Sequence, residues 1–323
     1  MPPEQLTISK EAEIKFFVIL AIVLALFLIS SFVLGSRVER RDLSTPTETV
    51  LNEFPLEDMH NSISSTIQAR AAYVYDARTK TVLFAKNENT RMPLASLTKL
   101  MSALVAQELS PSYGTVSVSS DAIAAEGDSG LLSGERWSLK NLLDFSLITS
   151  SNDGIRAVAL ALGALDRSDA TSEEILSDFA LKMNEKAAAL NLTNTYYWNE
   201  TGLDESEVKG GAYGTAKDMA MLLEHLITYY PEALEATKES MSTISSENLA
   251  HPAKNTNVLA GEIPGLIASK TGFTNTAGGN LVLAFDPELG RPIVITIMGS
   301  TEKGRFEDAR VLINAVMKYL NGK

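Results

Sequence analysis

Ser96 and Lys99 stand three positions apart in the stretch RMPLASLTKLMSALVAQEL, residues 91–109, where apolar spacing predicts the start of a helix. Positions i and i+3 of a helix share a face, so a lysine amine there can reach the serine oxygen. A serine hydroxyl is a weak nucleophile until a neighbour takes its proton. A lysine can be that neighbour only if burial or a second cation lowers its pKa. The pair alone decides nothing. Ser-x-x-Lys is short enough to arise by chance, and it recurs at Ser206 and Lys209 in DESEVKGG. That second copy runs into two glycines rather than an apolar helical run, so it reads as a loop. Two further pieces follow the first copy: Ser150-Ser-Asn152, where a helical stretch breaks, and Lys270-Thr271-Gly272 followed by Phe273, on a strand. Each has a bland reading. Lys99 would snorkel to solvent beside an N-terminal helix serine, Ser150 and Asn152 would be caps, and Lys270–Gly272 would be an exposed strand end.

Defined elements must hold these residues. AAYVYDARTKTVLFAKN reads as two strands around a turn at Asp76 to Lys80. Leu97, Leu100, Met101, Leu104, Val105 and Leu109 recur at helical spacing, which puts Ser96 in a first turn whose free N–H groups point outward. LLSGERWSLKNLLDFSLITSSNDGIRAVALALGAL reads as two helices broken at residues 149–153, with Ser138 and Asp153 as N-caps. SDFALKMNEKAAALNL and TAKDMAMLLEHLITYY are further helices. GLIASKTGF, GNLVLAF and RPIVITIMGS are strands, and FEDARVLINAVMKYL is a last helix. Strands at both ends and helices between them predict an α+β domain, with one antiparallel sheet built from both ends and covered by a helical middle region.

Taken in order, the three pieces resemble the penicillin-recognising serine enzymes, the penicillin-binding proteins and serine β-lactamases. The D-alanyl-D-alanine carboxypeptidase branch (low-molecular-mass penicillin-binding proteins, peptidase family S11) is closer. LASLTKLMSALVA, SSNDG, TGLD, GTAKDMAML and SKTGFTNTAGGNL look like that family, in its order, over roughly residues 70–320. The resemblance implies a β-lactamase/DD-peptidase-like fold, with Ser96 as nucleophile, Lys99 as its base and Ser150 as a proton relay. It makes Asn152 a donor to the substrate's amide carbonyl, and Lys270 and Thr271, with Gly272, the binders of its terminal carboxylate. The N–H groups of Ser96 and Phe273 would form the oxyanion hole. The implied substrate is a peptidoglycan stem peptide ending in D-Ala-D-Ala. β-Lactams are the implied inhibitors, and no cofactor or metal is implied. A DD-endopeptidase would use the same residues. A β-lactamase of class A would add a glutamate that activates water, and no Glu-x-x-Leu-Asn pattern lies between the second and third pieces. An inactive wall-binding scaffold is the remaining alternative.

Composition narrows the field further. The chain has 323 residues, net charge −12 and no basic-aromatic stripe, which argues against a nucleic-acid partner. Cysteine is absent and the three histidines, His60, His225 and His251, are scattered, so neither disulfides nor a zinc site is expected. FFVILAIVLALFLISSFVLG, residues 16–35, is uncharged. A helix of that length spans about 30 Å, the thickness of a bilayer core. The apolar run exceeds a signal peptide's, and FVLGSRV is a poor cleavage site. The sequence therefore predicts a tail at 1–13, a transmembrane helix over 14–35 with the lipid bilayer as partner, a polar linker at 36–68 and a catalytic domain at 69–323. The flanking lysines and arginines run against an N-in orientation. The implied substrate instead sets the expectation of a single-pass cell-membrane protein with an extracytoplasmic domain.

Overall fold

The computed structural model describes residues 63–127, 129–164 and 169–322. Strands β1 (Ala71–Asp76) and β2 (Thr81–Lys86) form the predicted hairpin. Asp76 closes its turn: one carboxylate oxygen accepts from the amides of Arg78 and Thr79, and the other accepts from Arg291 Nε at 2.8 Å. β3 (Met92–Pro93) leads into a 3₁₀ turn, Ala95–Thr98, and helix α1 (Lys99–Leu109). A two-stranded ribbon, β4 (Thr115–Ser117) with β5 (Arg136–Ser138), precedes α2 (Leu139–Thr149) and α3 (Asn152–Gly163). Next come α4 (Ser172–Ala189), β6 (Tyr196–Tyr197), β7 (Ala212–Gly214) and α5 (Ala216–Tyr229). A hairpin of β8 (Met241–Ser245) and β9 (Ala250–Lys254) precedes the final strands β10 (Leu266–Thr274), β11 (Gly278–Phe285) and β12 (Ile293–Ser300), and α6 (Gly304–Asn321) ends the fold.

The main sheet has the antiparallel order β10-β11-β12-β1-β2, so β1, from the start of the domain, pairs with β12, from its end. All six residues of β1 are buried because the sheet is covered on both faces. Alternation sorts its side chains. Ala71, Tyr73 and Tyr75 point into the core shared with the helical middle. Ala72 and Val74 join Leu283, Ile295 and Ile297 beneath Phe306, Leu312 and Val316 of α6. Helix α1 lies inside the inner core, with every residue from Lys99 to Ala106 buried, and a helix apolar nearly all round belongs in such a place.

Two expectations are corrected. The N-cap of α3 is Ser151, whose Oγ accepts from Gly154 N, and not Asp153, which is already inside the first turn. The expected transmembrane helix is not upheld. Among the described residues no helix is long and apolar enough to cross a membrane. The longest, α4 and α6, have 18 residues each and carry charges such as Glu173, Lys182 and Lys186 on one and Glu307, Arg310 and Lys318 on the other. Residues 14–35 lie outside the described residues. The lipid bilayer as partner and the single-pass placement fall with that helix; what stands is the α+β domain with a sheet built from both ends.

The cover of the outer face should be strongly stabilising. Leu312, 1% exposed, should cost about 2–5 kcal/mol on truncation to alanine. That would appear as a lower denaturation midpoint with an unchanged slope in urea.

Candidate active site

Three elements converge on Ser96. The 3₁₀ turn carries it, the break between α2 and α3 faces it, and β10 runs alongside. Lys99 Nζ donates to Ser96 Oγ at 2.9 Å, to Asn152 Oδ1 at 2.7 Å and to the Thr201 carbonyl at 2.8 Å. Lys270 Nζ donates to Ser150 Oγ and to the Thr271 carbonyl, each at 2.9 Å. Both amines are buried. Burial pulls the Lys99 pKa down to about 7, with Glu200 acting in the opposite direction. Lys270 falls well below the usual lysine range, first through burial and then through the positive charges of Lys99 and Arg305. A lysine near neutrality is a competent base at physiological pH, and the oxygen it would deprotonate is already in contact. The arrangement suits nucleophilic acyl transfer through Ser96.

The backbone is shaped to the same end. Ala95, just before Ser96, has φ 47°, and Ser150, at the end of α2, has φ 62°. Side-chain-bearing residues rarely adopt this left-handed region, and such strain gathers at functional sites. Gly272 lets β10 press against the turn that carries Ser96: a Cβ there would stand 2.9 Å from the Leu94 carbonyl oxygen and 3.1 Å from Ser96 N. Phe273 follows immediately in β10, and its side chain is exposed. Gly202, at φ +80°, allows equally close approach from the other side, where a Cβ would meet the Ala95 carbonyl oxygen at 2.0 Å.

The three pieces carrying Ser96, Ser150 and Lys270 thus meet in one place, with contacts that differ in detail from those the resemblance implied. Ser150 Oγ is bonded to Lys270 rather than to Ser96 or Lys99. Asn152 accepts from Lys99 and donates to the Glu126 carbonyl at 2.7 Å. Thr271 Oγ1 lies 2.6 Å from Thr256 Oγ1. The decoy pair Ser206 and Lys209 forms only an isolated bridge in a turn remote from these groups in its bonding.

Sequence reasoning missed several supports. Arg305 donates to the Gly272 carbonyl at 2.7 Å and adds positive charge behind Lys270. Asn280 donates to the Pro93 and Leu94 carbonyls and accepts from Gly299 N, so it fixes the strand that enters the nucleophile's turn. Thr201 supplies a carbonyl to Lys99. Glu200, 1% exposed, is held by Arg156 at 2.9 Å. TGLD and the Asn of AGGNL were visible as motif pieces, but nothing local to them states these contacts. Thr256 and Arg305 carried no signal.

Residues 58–301 match the family described as D-alanyl-D-alanine carboxypeptidase, peptidase family S11. The chain belongs to that family. It is 31% identical to D-alanyl-D-alanine carboxypeptidase DacF of Bacillus subtilis over 78% of this chain and 63% of that protein. It is also 31% identical to D-alanyl-D-alanine carboxypeptidase DacB2 of Mycobacterium tuberculosis, over 71% of this chain and 74% of that one. Among solved structures, penicillin-binding protein D2 of Listeria monocytogenes, in its ampicillin-bound form, is similar with a TM-score of 0.61 and 29% identity, over 77% of this chain and 97% of that one. The chain therefore spans less than two thirds of DacF and about three quarters of DacB2.

Gly272→Ala should push the turn that carries Ser96 away from β10. Acylation of Ser96 by a labelled penicillin should then slow on the order of 10²-fold, the cost of a misplacement of about 1 Å, as read by stopped-flow.

Proposed function

We propose that this chain is a serine-type D-Ala-D-Ala carboxypeptidase acting on peptidoglycan stem peptides and acylated by β-lactams. The observation that carries the reading is the Lys99 amine, buried, drawn down to about 7 and 2.9 Å from Ser96 Oγ. The family and the relatives reported above support it.

In this reading Ser96 Oγ attacks the carbonyl carbon of the bond between the two terminal D-alanines while Lys99 takes its proton. Charge developing on the carbonyl oxygen meets the N–H groups of Ser96 and Phe273. The tetrahedral intermediate collapses by breaking the C–N bond. The leaving nitrogen takes a proton from Lys99, and D-alanine departs; the Ser150 hydroxyl, held by Lys270, is the relay that the family resemblance implies. The ester on Ser96 is then hydrolysed by water, which returns the proton and frees the shortened peptide. The Lys270 and Thr271 groups receive the substrate's terminal carboxylate, and the Arg305 guanidinium behind Gly272 makes that region favourable to an anion.

Purified protein should bind fluorescent penicillin covalently. Ser206→Ala should label like the parent and Ser96→Ala not at all. Release of D-alanine from a soluble peptide ending in D-Ala-D-Ala should show the same pattern. A folded parent that neither labels nor releases D-alanine would sink the proposal and favour a wall-binding scaffold.

The pH dependence has a defined sign. Lys99 acts in its neutral form, so the second-order rate constant for acylation should rise as pH increases through about 7. Lys99→Arg, which stays protonated, should lose that limb together with the activity.

A further inference from the structure

The segment preceding Thr201 lines a cavity of about 530 Å³ that the mechanism does not use. That volume falls within the range of small-molecule sites. It is reached from the same loop that serves Lys99: Thr201 gives its carbonyl to the lysine, while Trp198, Asn199, Glu200 and Glu205 line the cavity. Strand alternation turns Tyr196 and Trp198 outward, each 41% exposed, with the Tyr197 between them fully buried. Tyr196 and Trp198 meet edge to face with centroids 4.4 Å apart, and Trp198 meets Tyr213 of β7 at 5.9 Å. Lys209 Nζ sits 4.5 Å from the Trp198 ring. Three outward aromatics in a ladder on β6 and β7, the small sheet whose β3 enters the Ser96 turn, are more than a stray apolar side chain.

The lining selects a ligand type. Four carboxylates, Asp121, Glu173, Glu200 and Glu205, face one arginine, Arg156, which disfavours an anion. Three of the four already accept from neighbouring donors. Glu200 is held by Arg156, Glu205 by Asn199 Nδ2 and Asp121 by Ser172 Oγ, which weakens the pull on a free cation. What remains is a set of acceptor oxygens beside an exposed indole. That suits a neutral ring with hydroxyl donors on its rim and C–H groups on its face. We propose that the cavity and the aromatic ladder form a saccharide subsite that holds the glycan strand carrying the stem peptide. The proposal rests on the stem-peptide reading above.

Trp198 is also the reporter. Of the two tryptophans in the chain, Trp137 is fully buried, so a fluorescence change on titration would come from Trp198. The probe is chitotetraose, an N-acetylglucosamine tetramer, measured by fluorescence and by calorimetry on the whole chain. The parent should bind it saturably. Trp198→Ala and Tyr196→Ala should each weaken binding by about tenfold or more, the loss usual for a central aromatic anchor. Trp198→Phe, which keeps a ring, should retain more. Release of D-alanine from polymeric peptidoglycan should fall by a similar factor in Trp198→Ala, while release from a soluble D-Ala-D-Ala peptide stays at the parent's rate. No binding of chitotetraose by the parent overturns the proposal. So does an equal loss on polymeric and soluble substrates, which would make Trp198 a structural residue, or competition by a lysine-containing peptide but not by chitotetraose, which would make the cavity a peptide site. A parent inactive on the soluble peptide would refute the carboxypeptidase reading instead, and chitotetraose binding would still be read on its own.

Discussion

Two lysine amines are buried in one site, and the rest of the structure is arranged around that fact. Their partners are hydroxyl, amide and carbonyl oxygens rather than carboxylates. Burying an ammonium without a counter-ion is unfavourable, and the group responds by giving up its proton more readily. A carboxylate in contact with Lys99 would remove the effect by holding the ammonium in place. Glu200 is the acidic group that acts on Lys99, and Arg156 occupies its carboxylate. The positive charges of Lys99 and Arg305 act in turn on Lys270, which burial already lowers. The basicity of Lys99 is thus set by burial within α1 against the pull of a diverted acid, which together keep an amine near neutrality beside a serine.

That arrangement demands a rigid frame, because each of these effects falls off within a few ångströms. Covering the sheet on both faces provides it. Leu281 and Leu283 of β11 and Ile295 and Ile297 of β12 pack beneath α6, while Val282, Ala284 and Val294 pack against the helical middle. β10 therefore has little freedom to move away from the nucleophile's turn. The close contacts at Gly272 and Gly202, and the left-handed backbone at Ala95 and Ser150, are tolerable because the surrounding packing leaves no alternative. Asn280 shows the coupling most directly. It is a fully buried side chain on β11 that bonds the backbone at residues 93 and 94 and the amide of Gly299 on β12.

How much of this was legible in the sequence follows from the range of each interaction. Ser96 and Lys99 are three residues apart on one turn, so their contact is a local property. The sheet's origin in both ends of the domain was legible because strands read by alternation and aromatic content, and antiparallel pairing of β1 with β12 buries both. The boundary of α3 was misplaced by two residues because Ser151 and Asp153 are both good caps, and Ser129 from a separate loop bonds both, its Oγ to Ser151 Oγ at 2.7 Å and its amide to Asp153 Oδ2 at 3.1 Å. Thr256 and Arg305 were invisible because their partners, Thr271 and Gly272, meet them only after the β8–β9 hairpin and α6 have docked. The expected transmembrane helix lies outside the described residues, none of whose own helices is long and apolar enough to cross a membrane.

The loop from Trp198 to Glu205 joins these themes. Asn199 organises it, with Oδ1 accepting from Gly202 N and Nδ2 donating to the Leu203 carbonyl and Glu205. Asp204 then accepts from Thr274 Oγ1 at 2.9 Å, which ties the loop to the end of β10. One short segment therefore touches Lys99 through Thr201, β10 through Asp204 and the aromatic cavity through Trp198. The conformation of this segment is therefore fixed by short, directional bonds at Thr201 and Asp204 rather than by soft packing alone.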